Sequence, residues 1–203
     1  LDGALKDIES FIHSTEYIPL LQAAMLHAQF ETIHPFLDWN GRTGRILITL
    51  FLYSRNMLEK PVLFLSSYFK KHQQVYYERL NGYHNGEVEK WILFFLEGII
   101  ETAEESIQTS RDIDTLRESD MQKIQWLWKR ESESGIKLLN YLYRSPIVTS
   151  STVSKELEFS WNGAQKVIER FIDLWILYPY NESEKYGKRY IYQAYVDMFN
   201  TNS

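Results

Sequence analysis

Between His34 and Arg45 the chain reads His-Pro-Phe-Leu-Asp-Trp-Asn-Gly-Arg-Thr-Gly-Arg, and the apolar run Ile46 to Tyr53 follows at once. No other segment constrains the fold as strongly. A glycine-bearing loop that opens onto a helix N-terminus is a ready anion site, because free backbone N–H groups and the helix dipole both point at the ligand. Asn40, Gly41, Thr43 and Gly44 lie where the loop turns into the helix, so their N–H groups are placed to hold phosphates. Arg42 and Arg45, three apart, share a helix face and can clamp outer phosphates and stabilise charge on a leaving group. Histidine exchanges a proton near neutral pH, so His34 can act as general base. Asp38 is a hard oxygen ligand of the kind that holds Mg²⁺ bridging phosphates. Phe36 reads as the packing anchor of the loop. Such a set can do chemistry on a nucleotide rather than merely hold it.

The rest of residues 1–133 reads as helices. Leu5, Ile8, Phe11 and Ile12 fall at helical spacing, as do Leu20, Leu21, Ala24, Met25 and Ala28. Pro19 sits at the start of that second helix, where its missing N–H costs little. The motif helix runs from Arg42 to Asn56. Pro61 breaks the chain, and Ser66 or Ser67 caps a helix through Tyr68, Phe69, Val75, Tyr76 and Leu80. Asn81-Gly82 and Asn85-Gly86 mark a loop. Val88 to Ala103 is an apolar helix set against the motif helix. Residues 104–133 form a charged helical connector in which Trp126 and Trp128 read as packing residues.

From Ser134 the pattern changes. Gly135 to Arg144 is a short helix, Thr149 or Ser150 caps a second ending near Leu157, and Ser160 caps a third with Ala164, Val167, Ile168, Phe171 and Ile172 on one face. Trp175 to Tyr180 and Arg189 to Gln193 alternate like strands around the polar turn Asn181 to Lys188. Three helices and a hairpin resemble a winged helix-turn-helix. The expected fold is therefore mainly α, with a catalytic core at 1–103, the connector at 104–133 and a winged-helix-like domain at 134–203.

Composition closes off several classes. The net charge of −5 argues against a chain-wide nucleic-acid binder, and 44% hydrophobic with 15% aromatic residues fills a real core. There is no cysteine, hence no disulfide framework and no thiolate nucleophile, which suits a reducing cytoplasm. No apolar run approaches ~18 residues, so no membrane span is expected. The chain opens inside a helix without an initiator Met, and reads as a fragment whose N-terminal part lies upstream.

The motif resembles the signature of the Fic family, His-x-Phe-x-(Asp/Glu)-Gly-Asn-Gly-Arg-x-x-Arg. His34, Phe36, Asp38, Asn40, Gly41, Arg42 and Arg45 match in order and without gaps; Trp39 stands where the family usually has Gly. The likeness extends upstream through Ala24 to Ile33 and downstream to roughly Ala103. It implies a helical bundle that transfers AMP from ATP, with Mg²⁺ on Asp38 and His34 as base, to a Ser, Thr or Tyr hydroxyl of a target protein, the chain itself included. Members that transfer phosphate carry Lys at the place of Gly41, so Gly41 favours AMP transfer. Tyr76, Tyr77 and the Asn85 region resemble the part that lines the adenine. Aromatic stacking on a base is sensible there, while core and rim positions are the competing reading.

Trp39 puts competence in question. Glycine is free at positive φ, whereas another residue in a left-handed conformation costs ~1–2 kcal/mol. The indole either points outward or narrows the site, and an inactive or AMP-removing relative is the alternative. The family's inhibitory pattern (Ser/Thr)-x-x-x-Glu-(Gly/Asn) is absent, since Thr152…Glu156 is followed by Leu157 and Ser154…Glu158 by Phe159. The family's target-positioning hairpin would lie before Leu1.

A second class of function is a nucleotide-sensing regulator whose winged helix binds DNA. Residues 134–203 carry 8 basic and 7 acidic side chains, a net of +1, against 14 and 20 for residues 1–133. Asn162, Gln165, Lys166 and Arg170 could read a groove, with Lys185, Lys188 and Arg189 on the wing, but a DNA reader should show a stronger basic stripe. Near-neutral charge suits protein docking or a homodimer instead.

Overall fold

The computed structural model describes residues 2–60, 63–127, 132–181 and 187–200. It divides into two compact units, Leu1–Ser106 and Ile107–Ser203, each with its own apolar core. The described residues are mainly helical, with one small antiparallel sheet. Among them no helix is long and apolar enough to cross a membrane.

The first unit holds α1 (Asp2–His13), α2 (Pro19–Ile33), α3 (Asn40–Ser54), α4 (Leu65–Lys71), α5 (Gln73–His84) and the beginning of α6 (Val88–Leu127). α2 is its axis. Ala23, Ala24, Leu26, His27, Ala28 and Phe30 are all buried, and the alanines let neighbouring helices approach closely. Pro19 occupies the first turn, as its missing N–H favours. The carbonyls that α1 leaves unpaired at its C-terminus are met by side chains from two other helices. Gln22 Nε2 donates to the carbonyls of Phe11 and Ser14, and Arg55 Nη2 to those of Ile12 (2.5 Å) and Ser14 (3.0 Å).

α6 docks through Trp91, whose Nε1 donates to the Ala24 carbonyl at 2.8 Å and whose ring meets His27, Phe69 and Tyr76. The contacts that fix it thus run to α2, α4 and α5. The helix expected from a Ser66 or Ser67 cap is two helices. α4 starts at Leu65 with no side-chain cap, and the chain breaks at His72 (φ −110, ψ 34) before α5. His72 packs on the Tyr68 ring (4.6 Å) and faces the Glu101 carboxylate (3.9 Å), tertiary contacts to which periodicity is blind. Asn81-Gly82 lies inside α5, and only Asn85-Gly86 turns. The Glu87 N–H donates to the Gly82 carbonyl, and the Glu87 carboxylate closes on Gly82 where a Cβ would stand 2.8 Å from it.

The second unit holds the rest of α6, then α7 (Ser132–Leu142), β1 (Ile147–Thr149), α8 (Ser150–Glu156), α9 (Trp161–Asp173), β2 (Tyr178–Pro179), β3 (Arg189–Ile191) and α10 (Gln193–Asn200). Thr149 and Ser160 cap α8 and α9 as their side chains predict, accepting from the N–H of Thr152 and Gly163. The sheet order is β1-β3-β2, with Ile147 opposite Ile191 and Tyr178 opposite Ile191. The strand expected from Trp175 begins only at Tyr178. Trp175 has φ +58, and the N–H groups of Ile176 and Leu177 return to the Phe171 carbonyl, so the stretch closes the end of α9. β1 was not foreseen, because three residues are too few to show alternation. The Tyr192 hydroxyl donates to the buried Asp120 (2.5 Å), which Lys123 meets at 2.7 Å. Trp128, Lys185 and most of the expected 181–188 turn lie outside the described residues, and nothing is assigned to the Trp126 side chain.

Candidate active site

The segment between α2 and α3 is bracketed by two left-handed residues. His34 (φ 47, ψ 58) ends α2, giving its N–H to the Phe30 carbonyl, and Trp39 (φ 72, ψ 10) begins α3. The loop between them is held from inside by Asn40, whose side chain is buried. Its Oδ1 accepts the Phe36 N–H at 2.9 Å and its Nδ2 donates to the Phe36 carbonyl at 2.6 Å. The Phe36 ring rests 6.2 Å from Phe30. Asn40 therefore shapes the loop with its side chain, and its remaining contribution to an anion is its backbone.

The N-terminus of α3 has no side-chain cap. The Thr43 N–H already goes to the Trp39 carbonyl, so the donors left free by helix geometry are those ahead of it, on Asn40, Gly41 and Arg42. Both arginines bend back toward this turn. The Arg42 guanidinium lies 4.4 Å from the centre of the Trp39 ring, and Arg45 Nη1 is 3.1 Å from where a Gly41 Cβ would be. The indole is thus on the exposed side, on Arg42. His34 and Asp38 are exposed at the same mouth. One Asp38 oxygen accepts the Trp39 N–H at 2.7 Å, leaving the other for an outside ligand.

Beneath the turn lies a group that the sequence reading did not assign. Gly44 is buried, and a Cβ on it would meet Glu31 Oε1 at 2.6 Å and His27 Nδ1 at 3.1 Å. His27 is fully buried, its ring stacked near Phe69 and Trp91 and its Nε2 3.1 Å from the Tyr76 hydroxyl. Burial lowers its pKa from 6.5 to about 4, and the nearby Arg45 charge acts in the same direction. Burial raises the Glu31 carboxyl, against the pull of His34 and Arg45. His27 and Glu31, four apart, share one α2 face that leads to His34 at the helix end, which is the signal that could have exposed them. The other foreseen residues separate. Tyr76 is a core residue of α5, Tyr77 beside it is exposed, and Asn85 ends α5. Thr32 Oγ1 lies 3.3 Å from the His84 ring, so the end of α5 sits beside the end of α2.

From the arginines a groove of about 420 Å³ runs along α3, lined by Arg42, Arg45, Ile46, Leu50 and, opposite, Leu63 and Phe64. Among the described residues no cluster of three or more His, Asp or Glu gathers to cage a metal ion.

The Fic/DOC family model matches residues 1–52. Protein adenylyltransferase Fic of Drosophila persimilis is 29% identical over 155 residues, covering 75% of this chain and 28% of that protein. The Drosophila melanogaster protein of the same name is 29% identical over 152 residues, 75% of this chain and 27% of its own length. That of Aedes aegypti is 30% identical over 96 residues, 46% of this chain and 18% of its own. The chain thus spans less than a third of the curated relatives it matches. A crystal structure of a Fic family protein from Desulfovibrio desulfuricans superposes with a TM-score of 0.51 at 18% identity, covering 94% of this chain and 54% of that one.

Proposed function

We propose that this chain, whose residues 1–52 match the Fic/DOC family model, transfers the AMP group of ATP to a hydroxyl side chain of a protein. The observation that carries the reading is the uncapped α3 N-terminus, with both guanidinium groups turned back on it and His34 at the same mouth. Residues with that disposition do three things. The free N–H groups and the α3 dipole bind phosphate oxygens. His34 takes the proton of the attacking hydroxyl as its oxygen bonds to the α-phosphorus. Arg42 and Arg45 stabilise the charge that collects on pyrophosphate as the α-phosphorus–oxygen bond to it breaks. A target carrying Ser, Thr or Tyr, or this chain itself, supplies the hydroxyl.

The donor set suits a magnesium ion that arrives with the nucleotide. Mg²⁺ is commonly held by one or two carboxylates plus substrate phosphates, and Asp38 offers one exposed oxygen beside the phosphate site. When bound there, the ion neutralises phosphate charge. On α5 the exposed Tyr77 is the ring open to an adenine, with Tyr76 fixed beneath it and Asn85 at the helix end. For the second unit, the order α7-β1-α8-α9-β2-β3 supports a winged-helix module, and its near-neutral charge favours docking to protein over DNA.

The test is labelled ATP with and without His34→Ala. Transfer of α-phosphate label that His34→Ala abolishes, with nucleotide binding kept, is the expected result. Transfer of γ-phosphate label, or undiminished transfer by His34→Ala, would overturn the reading.

A further inference from the structure

Trp39 is the departure from the family signature, and its conformation is costly. A side chain larger than glycine at φ 72 costs ~1–2 kcal/mol relative to the right-handed regions. Strain of this kind persists where the surroundings over-determine it, and it clusters at functional sites. Burial does not supply the compensation, because Trp39 is 62% exposed. Three interactions hold it: its N–H on Asp38 Oδ1, its carbonyl on the Thr43 N–H, and its ring against Arg42. The first two use backbone atoms that glycine would also have. The ring contact alone requires tryptophan.

Arg42 is the beneficiary. It is exposed in the first turn of α3, and among the described residues no carboxylate forms an ion pair with it. A free arginine there samples many rotamers, and ordering it on a ligand costs up to ~2 kcal/mol of side-chain entropy. A ring at 4.4 Å occupies one face of the guanidinium. Stacking of this kind leaves the in-plane N–H fork open, and that fork makes bidentate contacts to phosphate oxygens. We propose that Trp39 is a positioning residue, whose indole holds Arg42 pre-oriented for the phosphates of the nucleotide. The inference rests on the nucleotide reading above and assigns the unusual residue a part in it. A small residue at position 39 leaves Arg42 to be ordered by the ligand itself.

The experiment is calorimetric titration of MgATP into the chain and into Trp39→Gly, Trp39→Phe, Arg42→Ala, Arg42→Lys and the Trp39→Gly/Arg42→Ala double variant, with melting temperatures alongside. An exposed cation–π contact is worth enough to give Trp39→Gly about five-fold weaker ATP binding, without a lower melting temperature. Trp39→Phe should fall between. Arg42→Lys, which keeps the charge and loses the planar fork, should bind ATP more weakly than wild type. In the Arg42→Ala background the effect of Trp39→Gly should vanish. Unchanged or tighter ATP binding by Trp39→Gly, or an equal loss with Arg42 already removed, overturns the inference while leaving the nucleotide site standing. A wild-type chain that binds no ATP overturns the nucleotide reading itself.

Discussion

His27 Nε2 meets the Tyr76 hydroxyl at 3.1 Å, directly under the turn where α3 begins. The pair ties α2 to α5 below the proposed anion site, and both partners are buried. Tyr76→Phe strands a buried imidazole nitrogen, so we expect a loss of ~1–3 kcal/mol, read from urea denaturation midpoints.

His27 also sets a pH dependence. Its folded pKa of about 4 lies below the ordinary 6.5, so in that interval the unfolded chain binds the extra proton and the folded one does not. Its contribution is fully present above pH 6.5 and is lost as pH falls toward 4, by roughly 3 kcal/mol. Glu31, raised above 4.5 by burial, has the opposite sign, since the folded state holds its proton more firmly and gains as pH falls. Denaturation midpoints from pH 7 to 4.5 should therefore drop less in His27→Gln than in wild type, and more in Glu31→Gln.

Gly44 is a point of close approach between α3 and α2. Gly44→Ala would place a methyl 2.6 Å from Glu31 Oε1 and 3.1 Å from His27, forcing the helices apart. The expected cost is ~1–3 kcal/mol. MgATP affinity should fall with it, since the same helix carries the proposed anion-binding turn. Thermal melting and calorimetry on the one variant check both.

Asn40 clips Phe36 by two hydrogen bonds from a buried side chain. Asn40→Ala leaves the Phe36 backbone unpaired and loosens the loop that carries His34. Displacement of catalytic groups by about 1 Å can cost ~100-fold in rate, so the proposed AMP transfer should fall on that order in a labelled-ATP assay, with only ~1–3 kcal/mol lost from stability.

In the second unit Tyr192 and Asp120 form the buried polar contact of the core. Tyr192→Phe removes the donor to one oxygen of a carboxylate that is itself 1% exposed, leaving Lys123 on the other, at a cost of ~1–3 kcal/mol. MgATP binding by the first unit should be unchanged, measured by calorimetry beside the denaturation curve.

Sequence revealed most where a local rule and the tertiary fold agree. Pro19 at a first turn, the Thr149 and Ser160 caps and the apolar face of α9 were all legible because each depends on neighbours within one helical turn. The helix after the motif was legible for the same reason, although it starts at Asn40 and takes Gly41 and Gly44 into its first turns instead of leaving them in the loop. What escaped depends on distant partners. The break at His72 lies opposite Glu101, the retention of Gly82 in α5 goes with the return of Glu87 onto it, and the early end of α9 with the fold-back of Trp175 to Leu177. At the site, the side-chain role of Asn40 was hidden, since an asparagine at a helix start reads as a phosphate contact until Phe36 is seen within its reach. Trp39 was legible as an anomaly, but its resting place on Arg42 required coordinates.

Gln22 and Arg55 lie on opposite sides of the motif in the chain, yet both fasten to the last carbonyls of α1. The stretch from α2 through the loop to α3 is thereby moored at both ends to one post. For protein engineering this marks a cassette: loops from Fic proteins can be exchanged between these two moorings, with the post fixing the frame in which each graft is compared.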